Sequence, residues 1–117
     1  MHNHTLLGFD FGLRRIGLAV GQSSLQIATA LKTLSAKDGI PEWDEIQTLT
    51  DEWNASEFVV GIPYSLGGGV QEITRAAKQF AESLRQRFNL PVYETDERLS
   101  TVEARSQIYA KGNYKTL

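Results

Sequence analysis

The sequence predicts a single α/β domain, residues 1–117, built on a mixed five-stranded sheet flanked by helices. A three-strand antiparallel meander opens the sheet and parallel strands continue it. Three observations carry this reading. Three strand-like segments follow one another in the first third of the chain with no helical periodicity between them. Each of the two later strand-like segments follows a helical stripe, and a helix crossover imposes parallel pairing. With 117 residues, 41% hydrophobic and 22% charged, the chain has the size and composition of one ordinary globular domain.

The first two strands form a glycine-marked hairpin. Leu7, Phe9 and Phe11 alternate with Gly8 and Asp10, and after a tight turn Ile16, Leu18 and Val20 alternate with Gly17 and Ala19. Both runs have the period of two that marks a half-buried strand. Residues 25–34, rich in Ile, Thr, Ala and Leu, read as a third strand, with residues 35–39 as the loop after it. Pro41 suits a first helical position. From there Trp43, Ile46, Leu49 and Trp53 recur at helical spacing.

Residues 57–63 are a short continuous apolar run stopped by Pro63, the pattern of a central strand buried on both faces. The glycine-rich segment 64–69 follows, expected to be a mobile flap at that strand's carboxyl end. Residues 70–88 give the clearest helix, with Ile73, Ala76, Ala77, Phe80, Leu84 and Phe88 as its apolar stripe. Asn89 can end it in the left-handed conformation, and Pro91 prevents its resumption. A fifth strand, residues 92–95, runs into Asp96-Glu97-Arg98. Ser100-Thr101-Val102-Glu103 then matches a capping box, which predicts a last helix from Ser100 to near Gly112.

Composition narrows the function classes. The chain has no cysteine, which excludes disulfides and thiolate metal sites and fits a reducing compartment, so a cytoplasmic location is expected. No apolar run approaches the roughly 20 residues that cross a bilayer, so no membrane partner is expected. The amino terminus, with His2 and His4, lacks the apolar stretch of a signal peptide. Residues 1–69 carry four Lys/Arg against eight Asp/Glu, and residues 70–117 carry eight against six. The net charge of −2 therefore hides a second half capable of a basic face.

Asp10 is the residue that asks for chemistry. A carboxylate inside an otherwise apolar strand is expensive unless it has a cation, a donor or a metal. Arg14 or Arg15 could supply a salt bridge. Equally, Gly8, Gly12 and Gly17 leave the backbone around Asp10 uncovered, so a ligand could approach closely. In sheets with helix crossovers, ligands gather at the carboxyl ends of parallel strands. That places the glycine segment and the Asp96-Glu97-Arg98 cluster where chemistry is usually found.

Gly8-Phe9-Asp10-Phe11-Gly12 with Arg15 and Gly17, then Val59-Val60-Gly61-Ile62-Pro63, then Asp96-Glu97-Arg98-Leu99-Ser100-Thr101 together resemble the YqgF (RuvX) family. These are bacterial proteins of the ribonuclease H-like fold, named as Holliday junction resolvases and assigned to maturation of the 16S ribosomal RNA 5′ end. The similarity covers nearly the whole chain in order and spacing. It implies a metal-dependent nuclease in which Asp10, Glu97 and Asp96 are the catalytic acids. Asp10 and Glu97 would hold Mg2+ or Mn2+. Arg14 and Arg98 could contact phosphates, Ser100 and Thr101 lie at a helix N-terminus that favours an anion, and Gly67 and Gly68 would lie against substrate.

The resemblance implies a nucleic-acid partner, pre-ribosomal RNA or branched DNA, for a monomer or weak dimer. The family also supplies an Asp from a final helix, whereas residues 111–117 contain no acid. Weak activity is therefore expected, and a non-catalytic nucleic-acid-binding module is the alternative. A third reading, a fragment of an actin-like phosphotransferase, shares the Asp-x-Gly hairpin but needs two such domains to bind nucleotide.

Overall fold

The computed structural model describes residues 4–22, 27–65 and 70–97. The elements run β1 (Thr5–Asp10), β2 (Arg15–Gln22), β3 (Ile27–Lys37), β4 (Ile40–Pro41), α1 (Trp43–Trp53), β5 (Glu57–Ile62), α2 (Glu72–Phe88) and β6 (Val92–Asp96). They form one sheet in the order β4-β3-β2-β1-β5-β6. Strands β1 to β4 pair antiparallel, and β5 runs parallel to both β1 and β6. The α/β architecture and its mixed sheet are as the sequence predicts.

Two local differences share one cause. The sheet has six strands where five are expected, and Pro41 lies in β4 instead of opening a helix, so α1 begins at Trp43. Residues 35–39 are not a simple loop. Asp38 and Gly39 have φ of 53° and 83°, and they join Lys37 to its partner Ile40. Two central residues at positive φ, read as Asp-Gly, are the signature of a tight hairpin whose twist matches its strands. That hairpin extends β3 to Lys37 and adds β4.

Alternation then divides the sheet into two faces. On one, Leu7, Phe9, Ile16, Leu18, Leu34, Phe58, Val60, Ile62 and Val92 form the main core with Ile46 of α1 and Ala77, Phe80, Ala81 and Leu84 of α2. Phe9 packs edge-on against Phe58 and Phe80, at ring-centroid distances of 5.6 and 5.3 Å. Trp43 stacks on Phe80 at 5.7 Å. On the other face, Leu6 and Val59 form a small separate cluster with Ala28.

The helices end as their asparagines dictate. Asn54 and Asn89 close α1 and α2 in the left-handed conformation, at φ of 51° and 55°, where a short polar side chain is tolerated. Strand β5 is flanked on both sides and buried from Phe58 to Ile62, the central strand read from its apolar run. The segment 66–69 and the expected helix from Ser100 lie outside the described residues.

The Asp-Gly turn gives a direct test of this packing. A Cβ on Gly39 would lie 2.7 Å from Phe11 Cζ, on a backbone already at positive φ. Gly39→Ala is expected to lower stability by about 1–3 kcal/mol, measured by urea denaturation. An unchanged midpoint would show that the hairpin tip does not bear on the core.

Candidate functional site

Strand β1 is held so that Phe9 points into the aromatic core, and Asp10 therefore points to the opposite face. Registered pairing places Asp10 beside Gly17 of β2 and Gly61 of β5. Gly17 in turn pairs with Thr33, and Gly61 with Thr95. Because registered partners share a face, a row crosses five strands: Thr33, Gly17, Asp10, Gly61, Thr95. Its one charged member stands between two glycines.

Glu97 completes the site from the end of β6. Its backbone N–H donates to Ile62 O at 2.9 Å, carrying the β5–β6 ladder one residue further. Its side chain is 4% exposed and lies over Gly61. A Cβ added at Gly61 would land on the Glu97 carboxylate. Adjacent strands stand about 5 Å apart, so the Glu97 carboxylate lies about that far from Asp10 Cβ. On the other flank Gly17 presents no side chain, and a Cβ there would meet only Asp10 Cβ, at an ordinary contact distance of 3.4 Å.

The structure sorts the other expected site residues. Asp96 is in register with Ile62, a main-core residue, and follows Glu94, which binds Lys78 and Arg85 of α2. It is exposed on the helix-bearing face and is not brought to Asp10 and Glu97. Arg14 is exposed in the β1–β2 turn, where its carbonyl accepts from Ala36 N–H at 2.8 Å. Gly12 serves that turn instead of exposing Asp10: a Cβ there would meet Arg15 O at 2.5 Å. Arg98, Ser100, Thr101, Gly67 and Gly68 lie outside the described residues, and His4 is exposed.

The base of the glycine segment is tied down by α2. The buried Thr74 hydroxyl donates to Pro63 O at 2.5 Å and accepts from Gln71 N–H at 3.0 Å, joining the two ends of the connection. Tyr64 lies against α2, its ring centroid 5.6 Å from Lys78 Nζ. Its hydroxyl, followed by the charge of Glu94, raises the Lys78 ammonium above its ordinary pKa. That shift belongs to a largely exposed group on the helix side, away from the acid pair.

Whether Asp10 and Glu97 suit a metal is a question of donors and space. Both offer carboxylate oxygens, which Mg2+ and Mn2+ prefer, and Mg2+ keeps several waters, so few protein ligands suffice. Glu97 occupies the space over Gly61, and Gly17 adds no side chain on the other flank of Asp10. Among the described residues no three His, Cys, Asp or Glu gather as a metal site. The donor chemistry and the cleared space fit a hydrated ion held by the pair.

The profile of the family described as "RuvX: Holliday junction resolvase" matches residues 4–116. The chain belongs to the RuvX family. A relative from Coxiella burnetii, named "Putative pre-16S rRNA nuclease", is 50% identical over 110 residues, spanning 94% of this chain and 78% of that protein. A relative of the same name from Actinobacillus pleuropneumoniae is 48% identical over 113 residues, covering 97% of this chain and 82% of its own. Among solved structures, T. thermophilus RuvC in complex with a Holliday junction substrate superposes with a TM-score of 0.54 at 14% identity. The match covers 80% of this chain and 65% of that one. The RuvC likeness supports the ribonuclease H-like fold, and RuvX membership agrees with the motifs read from the sequence.

The sequence motifs pair Asp10 with Glu97, and the role of Gly61 emerges only in the structure. Its signal was there: a glycine interrupting Val59-Val60-Gly61-Ile62 marks a close approach in a strand that otherwise favours bulky residues. Gly61→Ala is expected to expel the Glu97 carboxylate and to cost about 1–3 kcal/mol through overpacking, read by urea denaturation. Wild-type stability in this variant would mean that the carboxylate moves aside freely and that Gly61 does not define the pair.

Proposed function

We propose that this chain is a metal-dependent endonuclease acting on structured nucleic acid, with the 5′ end of pre-16S ribosomal RNA as its substrate. The observation that carries the proposal is the Glu97 carboxylate lying over Gly61 beside Asp10. The names of the relatives favour ribosomal RNA precursor. The family description, and the junction in the RuvC complex, favour four-way DNA as the second substrate. The chemistry is the same for both.

Asp10 and Glu97 would hold Mg2+ or Mn2+ between the ends of β1 and β6. When bound, the ion supplies charge neutralisation at the phosphodiester and a water of lowered pKa. The two carboxylates fix where that charge sits, and Gly17 beside Asp10 puts no side chain in the way of the sugar–phosphate backbone. In hydrolysis the water oxygen bonds to phosphorus, one P–O ester bond breaks, and the departing oxygen takes up a proton. Asp96, on the other face, has no part in holding the ion. None of the described helices is long and apolar enough to cross a membrane, and a cytoplasmic location follows from the ribosomal RNA reading.

Asp10→Asn separates the enzyme from a binding module. In the enzyme it should lower magnesium-dependent cleavage of a ribosomal precursor by more than about a hundredfold, since even outer-shell partners of a metal cost 10–100-fold. Binding to the same RNA should hold or strengthen, because a negative charge near the phosphates is gone. The melting temperature should hold or rise as carboxylate repulsion is relieved. A destabilised variant, beside a wild type that binds RNA without cutting either RNA or a four-way junction, would identify a binding module.

A further inference from the structure

We propose that Arg15 and Lys37, with the hydroxyls of Thr33 and Ser35, form a phosphate-binding track that leads a nucleic-acid strand across β2 and β3 to the acid pair. This deepens the nuclease reading and rests on it. The argument is one of register. Ile16 and Leu18 of β2 and Leu34 of β3 belong to the helix-covered core, so Arg15 and Gly17, and likewise Thr33, Ser35 and Lys37, lie on the face of Asp10. Arg15 pairs with Ser35, and Gly17 with Thr33. Thr33 is in the same cross-strand row as Asp10, and Ser35 and Lys37 follow at steps of two residues, about 7 Å each. All four side-chain-bearing residues of the track are exposed.

The track is also held in place. Ala36 N–H donates to Arg14 O and Gly39 N–H to Leu13 O, both at 2.8 Å, so the β3–β4 tip is fastened to the β1–β2 turn. Charge separates the two sides of β3. On the helix side, Lys32 is paired with Glu45 at 3.1 Å, and the groove there is lined by Asp44, Glu45 and Glu52, a surface that repels a polyanion. Lys78 and Arg85 are paired with Glu94, and Arg87 lies 4.4 Å from the Trp43 ring. Arg15 and Lys37 have no acidic partner among the described residues. Cations on two neighbouring strands, interleaved with hydroxyl donors, match the phosphate and sugar contacts that position a nucleic-acid backbone. Arg14, adjacent in sequence, belongs to the turn and not to this row.

The test uses the full chain, a fluorescently labelled stem-loop RNA and a labelled four-way DNA junction, in calcium in place of magnesium to suppress cleavage. Arg15→Ala and Lys37→Ala should each weaken binding. Each should also reduce the slope of log affinity against log salt by about 1, the share of one phosphate contact. Lys32→Ala makes the same charge change on the opposite face of β3 and should leave the slope as it is. Melting temperatures should stay at the wild-type value for Arg15→Ala and Lys37→Ala, since both residues are exposed. A slope change confined to one of the two nucleic acids identifies the strand the track carries. Equal effects from Lys32→Ala, or none from Arg15→Ala and Lys37→Ala, overturn the track. A wild type that binds with the expected slopes but does not cleave in magnesium overturns the nuclease reading and leaves the track standing. A wild type that binds neither probe at low salt overturns both.

Discussion

The structure depends on the alternation of two neighbouring residues in β1. Phe9 is fully buried between Phe58 and Phe80, and this fixes which way Asp10 points. A slip of one residue would turn the whole strand over, driving the carboxylate into an aromatic core and the phenyl ring out of it. The register of β1 is thus set by hydrophobic burial on one face, and the position of the acid on the other face is its consequence. Strand β5 repeats the arrangement, with Phe58, Val60 and Ile62 inward and Gly61 on the side of Asp10.

From that constraint follows a division of labour between the faces. The helix-bearing face contains the aromatic cluster, both described helices and the ion pairs of Lys32, Lys78 and Arg85. The other face has glycines at positions where strands ordinarily carry bulky residues: Gly17 and Gly61 flank Asp10. Glycine in a strand interior gives up side-chain packing and backbone stability. The space so cleared is used by charge: Glu97 fills it at Gly61, and Asp10 occupies the row between. Stability from one face holds in place a constellation that the other face would not favour by itself.

Most of this was legible in sequence, for physical reasons. The period of two in β1 and β2, the apolar run of β5 and the stripe of α2 each report burial, which is what fixes those elements. The left-handed stop at Asn89 is local chemistry and was readable for the same reason. Asp38-Gly39 was equally local, yet a loop reading concealed a tight hairpin and with it β4. The acid pair was legible only in part. Asp96 and Glu97 are neighbours in the chain, and nothing in their identity tells which one faces Asp10. Pairing of Asp96 with Ile62, a core residue, decides it. The same parity separates Arg14 from Arg15, because only a registered partner such as Ser35 assigns a residue to a face.

The two acids also differ in what surrounds them. Glu97 is 4% exposed, whereas Asp10 is only half-buried at the strand end. A buried carboxylate gives up much of its hydration and must be repaid by hydrogen bonds or a cation, and a second carboxylate on the neighbouring row adds repulsion at low local dielectric. The sheet keeps both together because Glu97 continues the β5–β6 ladder through its own N–H and because Gly61 offers no side chain to displace it. The backbone thus fixes where the two carboxylates stand. A divalent ion would relieve their repulsion most where both carboxylates can reach it, beside Gly61. A polyanion, by contrast, is repelled by carboxylates, and so gains from positive charge further along the same face. In the proposed track Arg15 and Lys37 would supply it, two and four strand residues along from the row of Asp10.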